Sequence, residues 1–159
     1  MKFETYHYGV PGPSFRPIFG SQTHDTSNFG YWRGNGTTST MLEVIAPVHL
    51  PDGATVTALD CYYYDNSGTV SMDLNHIFGR RSWQGSPSPL ISLLAMTSGS
   101  LNTVVKITET DTGDPVINNQ IYQYWLYNSM TRTEGSALDA NTRSYGCRLE
   151  YEIDELTFP

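Results

Sequence analysis

Two carboxylates on one strand face, Glu150 and Glu152, and a second pair in one turn, Asp111 and Asp114, come nearest to a catalytic spacing. On a strand, residues i and i+2 lie about 6.6–6.8 Å apart, inside the roughly 5–9.5 Å range of glycosidase acid pairs. Arg148 shares their face, so the pair reads first as a solvated, salt-bridged surface. Asp111-Thr112-Gly113-Asp114 offers oxygen ligands to Ca²⁺ but lacks the full loop of an EF-hand, and reads first as a hairpin turn. The histidines His7, His24, His49 and His76 fall into no HxH, HExxH or CxxC pattern, which argues against zinc. His76 alternates with apolar residues and is expected to be a hydrogen-bonded core histidine. His24-Asp25 has no Gly-x-Ser-x-Gly elbow to serve. The expectation is therefore a non-enzyme, with no catalytic residue, metal or cofactor.

Cys61 and Cys147 are too few for a disulfide scaffold. Both fall at inward positions of strands expected to pair or face each other. They form either a disulfide joining an early and a late strand, as suits an oxidising compartment, or two buried thiols acting as small hydrophobes. The balance tips to thiols, and no electropositive opening activates either one.

The aromatic residues say more. Side chains alternate along a strand, so Tyr62 and Tyr64 must point opposite to Tyr63. If Leu59, Cys61 and Tyr63 face inward, Tyr62 and Tyr64 line an outer face. By the same rule Gln123, Trp125 and Tyr127 face out when Tyr122, Tyr124 and Leu126 face in. Such a face is a plain covering of a sheet, an interface between copies, or a platform for stacking sugars beside polar side chains. Val56 is out of phase with Leu59, which predicts a bulge or a change of sheet around Thr57-Ala58.

The elements that position these residues are strands. Val44 to Asn66 reads strand, turn, strand, turn, with Pro51-Asp52-Gly53 as the first turn and Asp65-Asn66-Ser67-Gly68 as the second. From Thr69, Val70, Met72, Leu74, His76 and Phe78 alternate with polar residues and Ile77, a half-buried strand. Arg80 to Pro89 reads as loop, Leu90 to Met96 as a short strand, Thr103 to Thr110 as another and Val116 to Tyr127 as a long aromatic one. Residues 128–143 read as polar loop, and Ser144 to Ile153 as a last strand with one apolar and one charged face. Residues 1–40, rich in Gly, Pro, Ser, Thr and Asn, read as a loop-rich wrapping segment with a short strand near Phe29–Arg33; Asn35-Gly36-Thr37 is first of all a turn. The sum is all-β: one domain whose residues 41–159 form a two-sheet antiparallel β-sandwich of jelly-roll or Greek-key type, with about eight strands.

The central run APVHLPDGATVT followed by YYYDN resembles a motif recurring in a family of uncharacterised bacterial proteins, many with secretion signals. Pro13-Ser14-Phe15-Arg16-Pro17 and the closing Tyr145-Gly146-Cys147-Arg148-Leu149-Glu150-Tyr151 resemble further elements of that family, so the likeness covers most of the chain. Between 80 and 115 it is weak, and the family's Val-Asp-Asn element stands here as Val116-Ile117-Asn118-Asn119. The resemblance implies a β-rich extracellular module and supplies no catalytic residues.

Composition narrows the partners. Nine basic residues against 16 acidic give a net charge of −7, which argues against nucleic acid. Charged residues make up 16% of the chain and aromatics 13%, a balance that favours large packed surfaces. There is no apolar run of membrane-spanning length. The segment Met1 to Tyr6 lacks the apolar core of a signal peptide, so export requires a removed signal or another route. The leading expectation is a secreted or cell-surface structural module that self-associates into a trimer or polymer through Tyr62, Tyr64, Gln123, Trp125 and Tyr127. The alternative is a carbohydrate-binding module that stacks a glycan on the same residues.

Overall fold

The computed structural model describes residues 3–18, 24–26, 30–34, 41–66, 72–97, 102–113, 115–132 and 141–154. In chain order the strands are β1 (Phe3–Pro11), β2 (Arg16–Pro17), β3 (His24–Thr26), β4 (Trp32–Gly34), β5 (Met41–Val48), β6 (Thr55–Asp65), β7 (Met72–Ser82), β8 (Pro87–Thr97), β9 (Val105–Glu109), β10 (Tyr122–Arg132) and β11 (Thr142–Asp154). Eight of these have five residues or more, and a 3-10 turn, Gly12–Ser14, links β1 to β2.

The strands form two antiparallel sheets. The first runs β3-β4-β11-β6-β9, with β1 also pairing along β11, and the second runs β2-β5-β10-β7-β8. The expected all-β sandwich is what the chain adopts. Strand alternation explains the core: Leu42, Val44, Ala46 and Val48 from β5, Met72, Leu74, His76 and Phe78 from β7, and Leu59, Cys61 and Tyr63 from β6 are all buried. Phe15 and Trp32, both fully buried with ring centroids 6.5 Å apart, plug one region of this core.

The bulge expected near Thr57 is present. Ala58 pairs with Glu150 and Val56 with Tyr151, so Thr57 is the extra residue that brings Val56 and Leu59 to the same side. A second irregularity at Tyr145 precedes Gly146, whose φ of 106° is open to glycine and which lies against β1: a Cβ there would fall 2.1 Å from the carbonyl oxygen of Val10.

Four expectations change. Residues 3–11 of the segment taken as a wrapping loop form β1, in register with β11 from Phe3↔Asp154 to Pro11↔Gly146. Only Val10 of its described side chains is fully buried, which leaves little of the alternation that marks a strand. The long aromatic strand begins at Tyr122 rather than Val116, and runs on to Arg132 through residues taken as loop. Its last residues hide their strand character because two of the three inward positions, on either side of Met130, are polar: Asn128 lies beside Cys147, and Arg132 reaches Asp65, 3.6 Å away across the sandwich, while donating to Thr142 Oγ1 at 2.7 Å. Pro87 and Pro89 belong to β8, where the missing N–H groups are tolerated because β8 is an edge strand. The cysteines, finally, are bonded to each other: Cys61 and Cys147 are direct partners on β6 and β11, and their sulfurs form a disulfide within one sheet. Asn35-Gly36-Thr37, Asp114 and Phe29 lie outside the described residues.

Candidate functional site

The residues expected to share one aromatic surface divide between two. Tyr62 and Tyr64 lie on the outer face of the first sheet, through β6, whereas Gln123, Trp125 and Tyr127 lie on the outer face of the second, through β10. Side-chain alternation told which residues leave the core; it held no information on which sheet each strand joins.

The face around Tyr62 and Tyr64 is tied up in internal contacts. Asp60 accepts from Thr108 Oγ1 at 2.6 Å and from Arg148 Nη2 at 2.6 Å, with Lys106 Nζ 3.3 Å away. Burial alone would raise the Asp60 pKa, but these donors outweigh it and hold the carboxyl below its ordinary value. The Arg143 guanidinium lies 5.0 Å from the Tyr64 ring and 5.0 Å from the Tyr31 ring. Arg148 thus serves Asp60 rather than the paired glutamates. Glu150 is engaged by Thr57 Oγ1 at 3.3 Å and by His7 Nδ1 at 3.8 Å, which accounts for it as part of a bonded surface.

The second face is open. Trp125 stands directly opposite Gly79 on β7, and a Cβ at that glycine would fall 2.4 Å from the indole. The missing side chain lets the ring lie down against the neighbouring strand instead of standing away from it. Beside it, Tyr127 donates to Glu43 Oε1 at 2.6 Å, and burial together with that carboxylate raises the Tyr127 pKa, so the hydroxyl stays protonated. Trp125, Tyr127, Ile45, Pro47, Gln123 and Arg81 line a cleft of about 430 Å³. A neighbouring cleft of about 450 Å³ shares Pro47, Gln123 and Tyr124 with it and adds Trp83, His49 and Asn119. The two make one furrow with an indole in each part and Gln123 between.

The Trp83 part of the furrow borders the rim of the core and is fixed by it. Tyr124 stacks on Phe78 with centroids 5.8 Å apart, and its hydroxyl accepts from the Asn118 N–H at 2.7 Å. Asn119 is pinned in turn, its N–H donating to Asp52 Oδ1 at 2.7 Å and its side-chain amide to the Leu50 carbonyl at 2.9 Å. Trp83, in the turn between β7 and β8, is 63% exposed. Apolar stacking surfaces flanked by fixed amide groups suit a ligand with alternating apolar faces and hydroxyls. Arg81, Trp83 and Gly79 were missed as site residues because they sit in or beside a stretch read as loop. The signal present was Gly79, a glycine at the end of an otherwise regular strand.

A third cluster is buried. Cys61, His76 and Cys147 present their ligand atoms within 4.8 Å of one another, a grouping invisible to linear spacing rules. The two sulfurs are spent on each other, which leaves no thiolate for a metal. His76 is fully buried, with Nδ1 3.9 Å from Cys147 Sγ and Nε2 without a hydrogen-bond partner. Burial lowers its pKa to about 4 against the opposing bond from Asn128, so it is neutral at pH 7.

No family model and no curated protein sequence matches this chain. Solved structures do. The CBM22-1 xylan-binding domain of Paenibacillus barcinonensis Xyn10C aligns over 93% of this chain and 92% of its own, with 12% identity and a TM-score of 0.52. The chain shares its fold with a xylan-binding module. The CBM22-1–GH10 modules of the Clostridium thermocellum xylanase Xyn10B, complexed with xylohexaose, align over the whole of this chain at 11% identity and a TM-score of 0.50, though this chain spans 30% of that one. A chain of the infectious bursal disease virus Gx strain is matched over 34% of its length at a TM-score of 0.49. At such low identity the likeness is one of fold, and the furrow must be judged on its own residues. No helix among the described residues is long and apolar enough to cross a membrane.

Proposed function

We propose that this chain is a non-catalytic carbohydrate-binding module, secreted or displayed at the cell surface, that holds an extended glycan along the outer face of the β5-β10-β7-β8 sheet. The observation that carries the reading is the seating of Trp125. An indole laid over Gly79, open to the furrow and flanked by Gln123, is a preformed flat platform that needs little ordering when a sugar ring stacks on it. Trp83 provides the second platform, and Gln123, Asn119 and His49 supply donors and acceptors for hydroxyls. The Cys61–Cys147 disulfide supports an oxidising, extracellular setting.

The test is titration with xylo-oligosaccharides followed by tryptophan fluorescence. Trp32 is fully buried, so the signal must come from Trp83 and Trp125. Saturable quenching or enhancement is expected, and Trp125→Ala should weaken binding by at least about tenfold, as loss of a central aromatic anchor does. No response to any of a panel of β-linked glycans would sink the proposal.

A second reading, self-association, has one observation in its favour. Leu94 and Met96 on the edge strand β8 are 76% and 69% exposed, at the end of the sheet away from the furrow. Large apolar residues on an edge strand invite pairing between copies. Light scattering across about a hundredfold range of concentration decides it. A mass that rises with concentration, and falls in Leu94→Lys, supports assembly, and a fixed monomer refutes it.

A further inference from the structure

The arginines of this chain differ in what answers their charge. Arg148 is bonded to Asp60, and Arg132 lies beside Asp65. Arg80 and Arg81 have no carboxylate partner among the described residues. The Arg80 guanidinium sits 4.2 Å from the centroid of the Tyr122 ring, and Arg81 Nε donates to the Gly85 carbonyl at 2.9 Å. Both are at the furrow: Arg81 lines the part that holds Trp125, and Tyr122, which carries Arg80, lines the part that holds Trp83.

The chain carries a net −7, yet neither part of the furrow is lined by an Asp or Glu. Two carboxylates come close to it and both are engaged: Asp52 Oδ1 accepts from the Asn119 N–H at 2.7 Å, and Glu43 Oε1 accepts from Tyr127 at 2.6 Å. Glu43 is the register partner of Ser129 and Arg81 that of Gln123, six residues along β10, so their backbones lie about 20 Å apart along the strand. The bond to Gly85 holds Arg81 by Nε alone, which leaves both Nη groups for a ligand, and a guanidinium fork matches a planar carboxylate.

We propose that the glycan held in the furrow is anionic: a chain bearing uronic acid residues, with Trp125 stacking on a sugar ring and Arg81 reading the carboxylate beside it. This rests on the carbohydrate-binding reading above, and names the ligand class for the same site.

The test uses the whole chain and a matched pair of ligands, a xylo-oligosaccharide carrying one glucuronic acid branch and the same oligosaccharide after the branch is removed. Free glucuronate and a sulfated oligosaccharide are added as further probes. The acidic sugar should bind about tenfold tighter than the neutral one at low ionic strength, a gap that narrows as salt is raised. Arg81→Gln should abolish the gap and Arg81→Lys should keep part of it, with an unchanged urea midpoint showing that each variant is folded. Equal binding of both sugars, or a preference that survives Arg81→Gln, overturns the inference while the carbohydrate-binding reading stands. Free glucuronate binding as tightly as the oligosaccharide, or the sulfated sugar alone binding, also overturns it. Binding of none of these probes fails both.

Discussion

His76 makes the protein's response to acid calculable. The residue is fully buried in the core beside Asn128 and the disulfide, with no charged group among the contacts of its ring. Its pKa falls from an ordinary 6.5 to about 4 in the folded chain. Above pH 6.5 the imidazole is neutral in both folded and unfolded chains, and its contribution to stability is complete. As pH drops below 6.5 the unfolded chain takes up a proton that the folded chain refuses, so stability falls until the folded pKa near 4 is passed. At 1.36 kcal/mol per pH unit the full loss is about 3 kcal/mol, of which about 2 kcal/mol is spent by pH 5. The assay is urea unfolding followed by tryptophan fluorescence at pH 7, 6 and 5, on the natural chain and on His76→Gln. Every other ionisable group is common to both proteins, so the difference in unfolding free energy isolates His76. That difference should shrink by about 2 kcal/mol between pH 7 and pH 5. A difference constant within about 0.5 kcal/mol would refute the argument that burial holds the ring neutral.

Three other outcomes are expected. The Cys61–Cys147 bond closes 86 residues of chain, and loop-closure entropy assigns it about 4–5 kcal/mol; the paired Cys61→Ala, Cys147→Ala variant should lower the urea midpoint accordingly, measured without reductant. Asp65→Asn leaves the Arg132 guanidinium charged and buried, with side-chain exposure of 1%, and should cost about 3–5 kcal/mol in chemical unfolding. Gly79→Ala drives a methyl into the Trp125 indole, so it should shift tryptophan emission and weaken oligosaccharide binding while the urea midpoint changes far less than for Asp65→Asn.

What the sequence discloses follows from where its polar residues go. β7 was readable because its inward positions are apolar apart from one histidine, and the bulge in β6 because Val56 and Leu59 break phase. The end of β10 was not, since Asn128 and Arg132 face inward and are satisfied by partners distant in sequence. β1 was missed because an edge strand with one fully buried described side chain carries almost no alternation. At the site, Trp125, Tyr127 and Gln123 were legible as outward residues. Their separation from Tyr62 and Tyr64 was not, because strand order is decided by contacts between remote segments. Trp83 and Arg81 became site residues only once β10 was placed next to β7.

The position of the disulfide gives the module a mechanical character. Phe3 and Asp154 are partners at the open end of the β1–β11 ladder, so a load applied between them pulls in the unzipping direction and breaks that ladder one rung at a time. β11 would peel from β6 in the same sense, starting at Glu152. The peel along β11 stops at Cys147, whose covalent link to Cys61 transfers the load to the middle of β6. The outer rungs can therefore yield and re-form under tension, while the sheet that carries the furrow, on the other side of the sandwich, remains out of the line of force.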